Sequence, residues 1–376
     1  MLEVQKYLRS GKTFDDLSAD FGIKSSFHPE DPLVILNYDQ IESPKTNTIV
    51  RECRALTLET TNFDVVARSF SRFFNWGEVQ DEMKYFDFTN FNIQSKEDGS
   101  LVLIYHFDGK WRANTRGSFA DSNMQFQDFT WHEGICKAFG SNLQDAGLAL
   151  NKDFTYVCEF VSPWNKVVRK YDNPALYLLT MFDPKENHEL PISQVDSFAD
   201  VGGFLRPDVY TFSSIDEIQD YLLQMENDDS TFEGVVIRDS GNRRWKLKSS
   251  TYLGLHKLRG NDNIWNPKHL LTFVLSGEGD ELLTYFPEAK EVFLELESDV
   301  LKAQVSTIET WSDHKDIKDQ KEFALAVKDH PFSSLLFQMR KQYGSEQDSK
   351  KLRDLWRQSK DLIIKRVIGP KIGHQT

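Results

Sequence analysis

The sequence predicts an α+β protein in which a domain of antiparallel sheets over residues 1–260 is followed by a smaller all-helical domain over 261–376. Three observations predict it. Short β-branched and aromatic runs recur through the first two thirds of the chain, an Asp-Gly pair sits between two of them, and the texture changes to helical spacing from about Asp262.

Taken in order, the strand-like runs are Val65–Phe74, Leu101–Tyr105, Phe154–Val161, Ala175–Phe182 and Gly234–Arg238, with helical stretches such as Ile215–Met225 between them. Asp108-Gly109 is a strong two-residue hairpin signal. If it is the turn, Phe107 pairs with Lys110 and Leu101 lies opposite Arg116. Gly260–Pro267 is rich in Gly, Asn and Pro and reads as a boundary. Beyond it Leu294, Leu301, Val305 and Ile308 recur at helical spacing, as do Leu352, Trp356 and Ile363.

Composition sets the outer limits. At roughly 100–200 residues per domain, 376 residues suggest two or three domains. Hydrophobic residues at 39% and aromatics at 13% suffice for packed cores, which excludes disorder for most of the chain. No apolar run approaches the ~20 residues of a spanning helix, and Met1–Ser10 does not read as a signal segment. Cys53, Cys136 and Cys158 are odd in number and widely spaced, which fits neither a disulfide framework nor a structural zinc site. The expectation is a soluble, cytoplasmic, monomeric protein.

Charge narrows the class of partner. With 45 basic and 58 acidic residues the net charge is −13, so bulk attraction to nucleic acid is excluded. Polyanion binding must use a local site. Ser240–Gly260 offers one, with Arg243, Arg244, Lys246, Lys248, Lys257 and Arg259 and no acidic residue.

The chemistry concentrates in a few segments. Lys96 lies in Ser95-Lys96-Glu97-Asp98-Gly99-Ser100, at the mouth of an apolar strand. A turn lysine is ordinarily just solvated, so its companions decide. The hairpin register brings Thr115-Arg116-Gly117-Ser118 beside it. Glu159 is the only charge in Phe154–Val161, and burying a lone carboxylate is costly without a partner. Phe232-Glu233-Gly234-Val235 leads into a strand where Lys246 and Lys248, two apart, share one face, with Trp245 and Leu247 on the other. Two ammonium groups aimed together call for something anionic between them. Upstream, Arg54 closes Arg51-Glu52-Cys53-Arg54, and Arg72 stands beside Phe73 and Phe74.

In this order and spacing ECR, RFFN, KEDGS, RGS, CEFVSP, FEGVV and WKLKSSTY resemble the covalent nucleotidyltransferases, and within them the tRNA-repair branch of the RNA ligases of tailed bacteriophages, over about residues 35–260. The resemblance implies a nucleotidyltransferase (ATP-grasp-like ligase) domain with Lys96 as the adenylylated nucleophile. It implies a nucleotide pocket formed by Arg54, Arg72, Phe74, Glu97, Gly99, Arg116, Glu159, Glu233, Gly234, Lys246, Lys248 and Tyr252. ATP would be the AMP donor, with Mg²⁺ (or Mn²⁺ in its place) near Glu233 and Asp280. Partners would be single-stranded RNA ends, above all tRNA anticodon-loop breaks, with no membrane. Departures exist: Arg72 and Arg116 replace lysines of the best-known member, ECRA replaces ECRG, and Asp280-Glu281 matches the branch's acidic pair only loosely. DNA ligases and capping enzymes of the superfamily append a β-rich domain, which the helical tail argues against. A fungal-type tRNA ligase and a catalytically inactive RNA-binding relative are the remaining alternatives.

Overall fold

The computed structural model describes the chain apart from residues 41, 125–126, 165–168, 170, 230, 250–266, 278, 286–288, 344–354, 357 and 373–376. It divides into two compact units, Met1–Leu253 and Gly254–Thr376. Among the described residues no helix is long and apolar enough to cross a membrane.

The first unit is built on three sheets. One has four strands, in the order Ile23–Phe27, Leu33–Tyr38, Leu56–Glu59 and Val65–Ala67. The second runs His188–Glu189, Ala175–Asp183, Thr155–Val161, Ser100–Phe107, Lys110–Thr115. The third runs Val209–Tyr210, Phe91–Ser95, Gly234–Asp239, Arg244–Lys248, Phe74–Asn75. Among these strands pairing is antiparallel except between Arg244–Lys248 and Phe74–Asn75. The hairpin register is the expected one, with Phe107 opposite Lys110 and Val102 opposite Thr115. Asp108 and Gly109 both take left-handed φ, 46° and 75°, as the favoured two-residue turn requires.

Two expectations are corrected. Val65–Phe74 is not one strand: Val65–Ala67 ends the first sheet and Phe74 begins a short strand of the third. The connecting residues carry the buried polar side chains Arg68, Ser69 and Arg72, which the site uses instead of a continued ladder. In the second unit, the helix Lys290–His314 buries Phe293, Leu296, Val300, Thr307 and Trp311. Leu294, Leu301 and Val305 have the right spacing but point to solvent, 43–59% exposed. Period alone does not say which of two apolar stripes is inside.

The cores are distinct. The helical unit packs around Phe323, Leu335, Leu336 and Ile363, with Trp356 beside them; Leu352 lies outside the described residues. In the sheet unit one apolar cluster lies around Val102, Tyr156 and Leu178, and another around Ile93, Val235 and Trp245. Residues 96–99, which join the second and third sheets, carry the buried carboxylates of Glu97 and Asp98.

Candidate active site

Lys96 occupies the crossover between two sheets. Phe91–Ser95 belongs to the third sheet and Ser100–Phe107 to the second, so residues 96–99 touch both. On the third-sheet side the Lys96 amide donates to the Gly234 carbonyl at 2.9 Å, and Gly234 pairs with Lys248. On the second-sheet side Leu101 pairs with Glu159. Two glycines permit this approach. A Cβ on Gly99 would strike the Phe160 carbonyl, and one on Gly234, whose φ is +139°, would strike that of Leu247.

The result is a compact ion cluster. Lys96 Nζ lies 2.7 Å from Glu233 Oε1, and Lys248 Nζ lies 3.1 Å from the same oxygen. Burial alone would push the Glu233 carboxyl up, but the two ammonium groups hold it below its ordinary value. Its other oxygen, Oε2, is buried and accepts no hydrogen bond among the described residues. Glu159 contrasts with it. Burial, opposed by Lys96 and reinforced by Glu233, pushes its carboxyl up to about 7, so it carries a proton part of the time near neutrality.

A second group of cations surrounds Tyr38. The Arg72 guanidinium sits 4.3 Å and that of Arg116 4.7 Å from its ring centre. Burial pushes the Tyr38 phenol up, yet Arg116, Arg54, Arg72 and Lys246 together leave it below its ordinary value. Arg54 donates to Ser69 Oγ at 3.2 Å and lies over Phe70, and Arg116 donates to Asn37 Oδ1 at 3.1 Å. Arg72 Nη1 is buried with no hydrogen-bond partner among the described residues. Clustered guanidinium groups, one with an unused donor, suit a phosphate chain. The cavity beside Lys96 is lined by Arg54, Phe70, Phe73, Glu159, Leu179 and Val236, among others. Leu179 reaches it through a bulge, since Leu178 pairs with Cys158 and Thr180 with Val157, leaving one residue extra.

Most of the expected residues therefore converge. Trp245 and Leu247 are buried behind Lys246 and Lys248, as the alternation requires. Phe74, 2% exposed, belongs to the third-sheet core and lines a neighbouring cavity rather than the one at Lys96. Tyr252 lies outside the described residues. Asp280 lies in the second unit, on the helix Gly279–Tyr285. Among the described residues no three His, Cys, Asp or Glu side chains are grouped to hold a metal ion. Mg²⁺ keeps most of its waters and usually takes one or two carboxylates plus substrate phosphates, so the unpaired Glu233 Oε2 fits it.

A family model for RNA ligase matches residues 52–253, more than half of the chain. The chain belongs to the RNA ligase family. A candidate bifunctional polynucleotide kinase/RNA ligase of Autographa californica nuclear polyhedrosis virus is 29% identical over 98% of this chain and 54% of its own length. The chain thus spans about half of that relative. An RNA ligase of Rhodothermus phage RM378 is 24% identical, covering 76% of this chain and 80% of the phage protein. A solved archaeal ATP-dependent RNA ligase shares the nucleotidyltransferase fold, with a TM-score of 0.50 at 14% identity over 87% of this chain and 90% of that one.

Three features of this RNA ligase family member had no signal in the sequence. Tyr38 ends the apolar run Leu33–Tyr38 and looks like any core tyrosine until four cations gather about it. Tyr171 reaches the Lys96 loop from far along the chain. Its hydroxyl donates to Glu97 Oε2 at 3.0 Å and accepts from the Asp98 amide at 3.1 Å, while Ser95 Oγ holds Glu97 Oε1 at 2.6 Å. Glu97 is thereby a brace for the Lys96 loop. Glu189 binds both Arg244 and Arg238, and burial beside Arg244 pushes Arg238 down to about 10.

Proposed function

We propose that this protein is an ATP-dependent RNA ligase that joins a 5′-phosphate to a 3′-hydroxyl through a lysyl-AMP intermediate on Lys96, acting in repair of cleaved tRNA. The observation that carries the reading is the Lys96–Glu233–Lys248 cluster at the crossover of two sheets.

Lys96 attacks as the neutral amine, so its proton must first leave. Glu233 already takes a hydrogen bond from it and offers a second, unused oxygen. The Nζ lone pair forms a bond to the ATP α-phosphorus, the bond to the bridging oxygen breaks, and pyrophosphate departs. Lys248, Lys246, Arg54, Arg72 and Arg116 stabilise the charge that collects on the transferring phosphoryl and leaving group. Glu159, kept partly protonated, can both donate to and accept from a ribose hydroxyl. Bound Mg²⁺, held by phosphate oxygens and Glu233, would add Lewis-acid polarisation. An RNA 5′-phosphate oxygen then attacks the AMP phosphorus, and Lys96 recovers the electron pair and a proton. Finally the RNA 3′-hydroxyl attacks the 5′-phosphorus and releases AMP. The helical unit would select structured RNA.

The test is incubation with α-labelled ATP followed by a denaturing gel, then addition of 5′-phosphorylated RNA. Covalent label that transfers to RNA and ends as a sealed strand is expected. Label from GTP alone, or none, would sink the proposal.

A further inference from the structure

A second cavity, of about 590 Å³, opens next to the one at Lys96, and the two share Phe70, Phe73 and Arg244. It is lined by five arginines, Arg51, Arg68, Arg72, Arg243 and Arg244, against the carboxylates Glu82 and Glu189. Glu82 is taken up by Arg51 at 2.9 Å, and Glu189 by Arg244 and Arg238. Arg243 pairs with Asp239, which does not line the cavity, while its own side chain stays 52% exposed. Arg68 donates to Asn187 Oδ1 and lies within electrostatic reach of Glu189, and Arg72, 8% exposed, keeps Nη1 without an acceptor among the described residues. In a chain of net charge −13 this is a local excess of positive charge around a buried donor that lacks a partner.

The lining is also aromatic. Phe73, Phe74, Phe182 and Tyr85 contribute, and Tyr85 is 61% exposed. A small anion needs only the cations. Cations alternating with an open ring suit a single strand, whose phosphates take the guanidinium groups while a base stacks on the ring. The volume lies within the range of about 300–1,000 Å³ typical of small-molecule sites, room for a terminal nucleotide.

We propose that this cavity seats the 5′-phosphate end of the RNA strand to be joined, with phosphates on Arg68, Arg72 and Arg243 and the terminal base on Tyr85. Arg244, Phe70 and Phe73 line both cavities, so an end held here lies beside AMP carried on Lys96. The inference rests on the ligase reading above and deepens it.

The test uses full-length protein and a fluorescent single-stranded RNA of about ten nucleotides with a 5′-phosphate, without ATP or divalent metal, followed by anisotropy across a salt series. Arg243→Glu and Tyr85→Ala should each weaken binding about fivefold or more, and Arg243→Glu should lower the salt slope by about one. Arg243→Lys should keep that slope. Formation of enzyme–AMP and the KM for ATP should stay at wild-type values in all three. Both side chains are half-exposed, and a thermal scan verifies that the fold is kept. Wild-type RNA affinity in both Arg243→Glu and Tyr85→Ala would overturn the proposal. So would a raised KM for ATP, which would give the cavity to the triphosphate. Absence of label on wild-type protein would instead remove the ligase reading, while the binding series would still report on the cavity.

Discussion

The two units bury different things. Among the described residues, Asp39, Arg68, Arg72, Glu97, Asp98, Glu189, Glu233, Arg238 and Asp239 are all buried in the sheet unit. Among its described residues the helical unit buries no charged side chain, and the one buried polar residue there, Thr307, donates to the Ala303 carbonyl at 2.7 Å. Buried charge costs free energy unless it is paired and hydrogen-bonded. A unit built only for stability avoids it. Part of it sits at the crossover, in the Lys96–Glu233–Lys248 cluster, where the proposed phosphate chemistry would use it.

Removing the shared counter-charge should have the largest effect. Glu233→Ala leaves Lys96 and Lys248 beside each other without their carboxylate. Breaking a buried pair in this way costs about 3–5 kcal/mol. We expect that loss in chemical denaturation of the sheet unit, together with loss of enzyme–AMP on a gel. Wild-type stability would mean that the cluster is solvated.

The complementary experiment strikes the other core. Phe323 is fully buried in the helical unit, and Phe→Ala in such a site costs about 3–5 kcal/mol. Phe323→Ala should unfold the helical unit early while enzyme–AMP forms at the wild-type rate. Loss of labelling in a protein whose sheet unit remains folded would mean that the helical unit is needed for attack on ATP.

Truncation near Asn263 should have a milder outcome. Self-adenylylation and sealing of a generic single strand should persist, and preference for a nicked tRNA should disappear. If the truncated chain keeps that preference in competition assays, the helical unit does something else. If it is folded by circular dichroism but makes no enzyme–AMP, the catalytic site extends past the sheet unit, with Asp280 as the first residue to test.

The smallest effect concerns Glu159. Its carboxyl titrates at about 7 in the fold against 4.5 ordinarily, so ionisation opposes folding. The cost is absent below about pH 4.5, grows between the two values and is complete above about pH 7. Glu159→Gln should therefore be more stable than wild type near pH 8, with the gap closing as pH falls towards 4.5. Equal melting temperatures at both pH values would mean that the carboxylate is fully solvated.

How much of this was legible in the sequence follows from the range of the interactions. The 107–110 hairpin is set by its own two turn residues, and the Lys246/Lys248 face by the period-two rule, so both were readable locally. Glu159 was noticeable as a lone charge in an apolar strand. Tyr38 and Tyr171 were not, because their roles come from residues brought together by tertiary structure. The split of Val65–Phe74 between two sheets escaped for the same reason: β propensity is continuous there, while the ladder is not. The Lys290–His314 helix shows the limit of periodicity, since Phe293 and Leu296 face the core and Leu294 and Leu301 do not.

In the proposed mechanism the cation–carboxylate cluster makes Lys96 a nucleophile. The most direct measurement is peptide mapping after incubation with α-labelled ATP and Mg²⁺. One labelled peptide is expected, modified on Lys96, with no label in Lys96→Ala or in Lys96→Arg, whose guanidinium stays protonated. Label on a different residue, or full labelling of either variant, would contradict it.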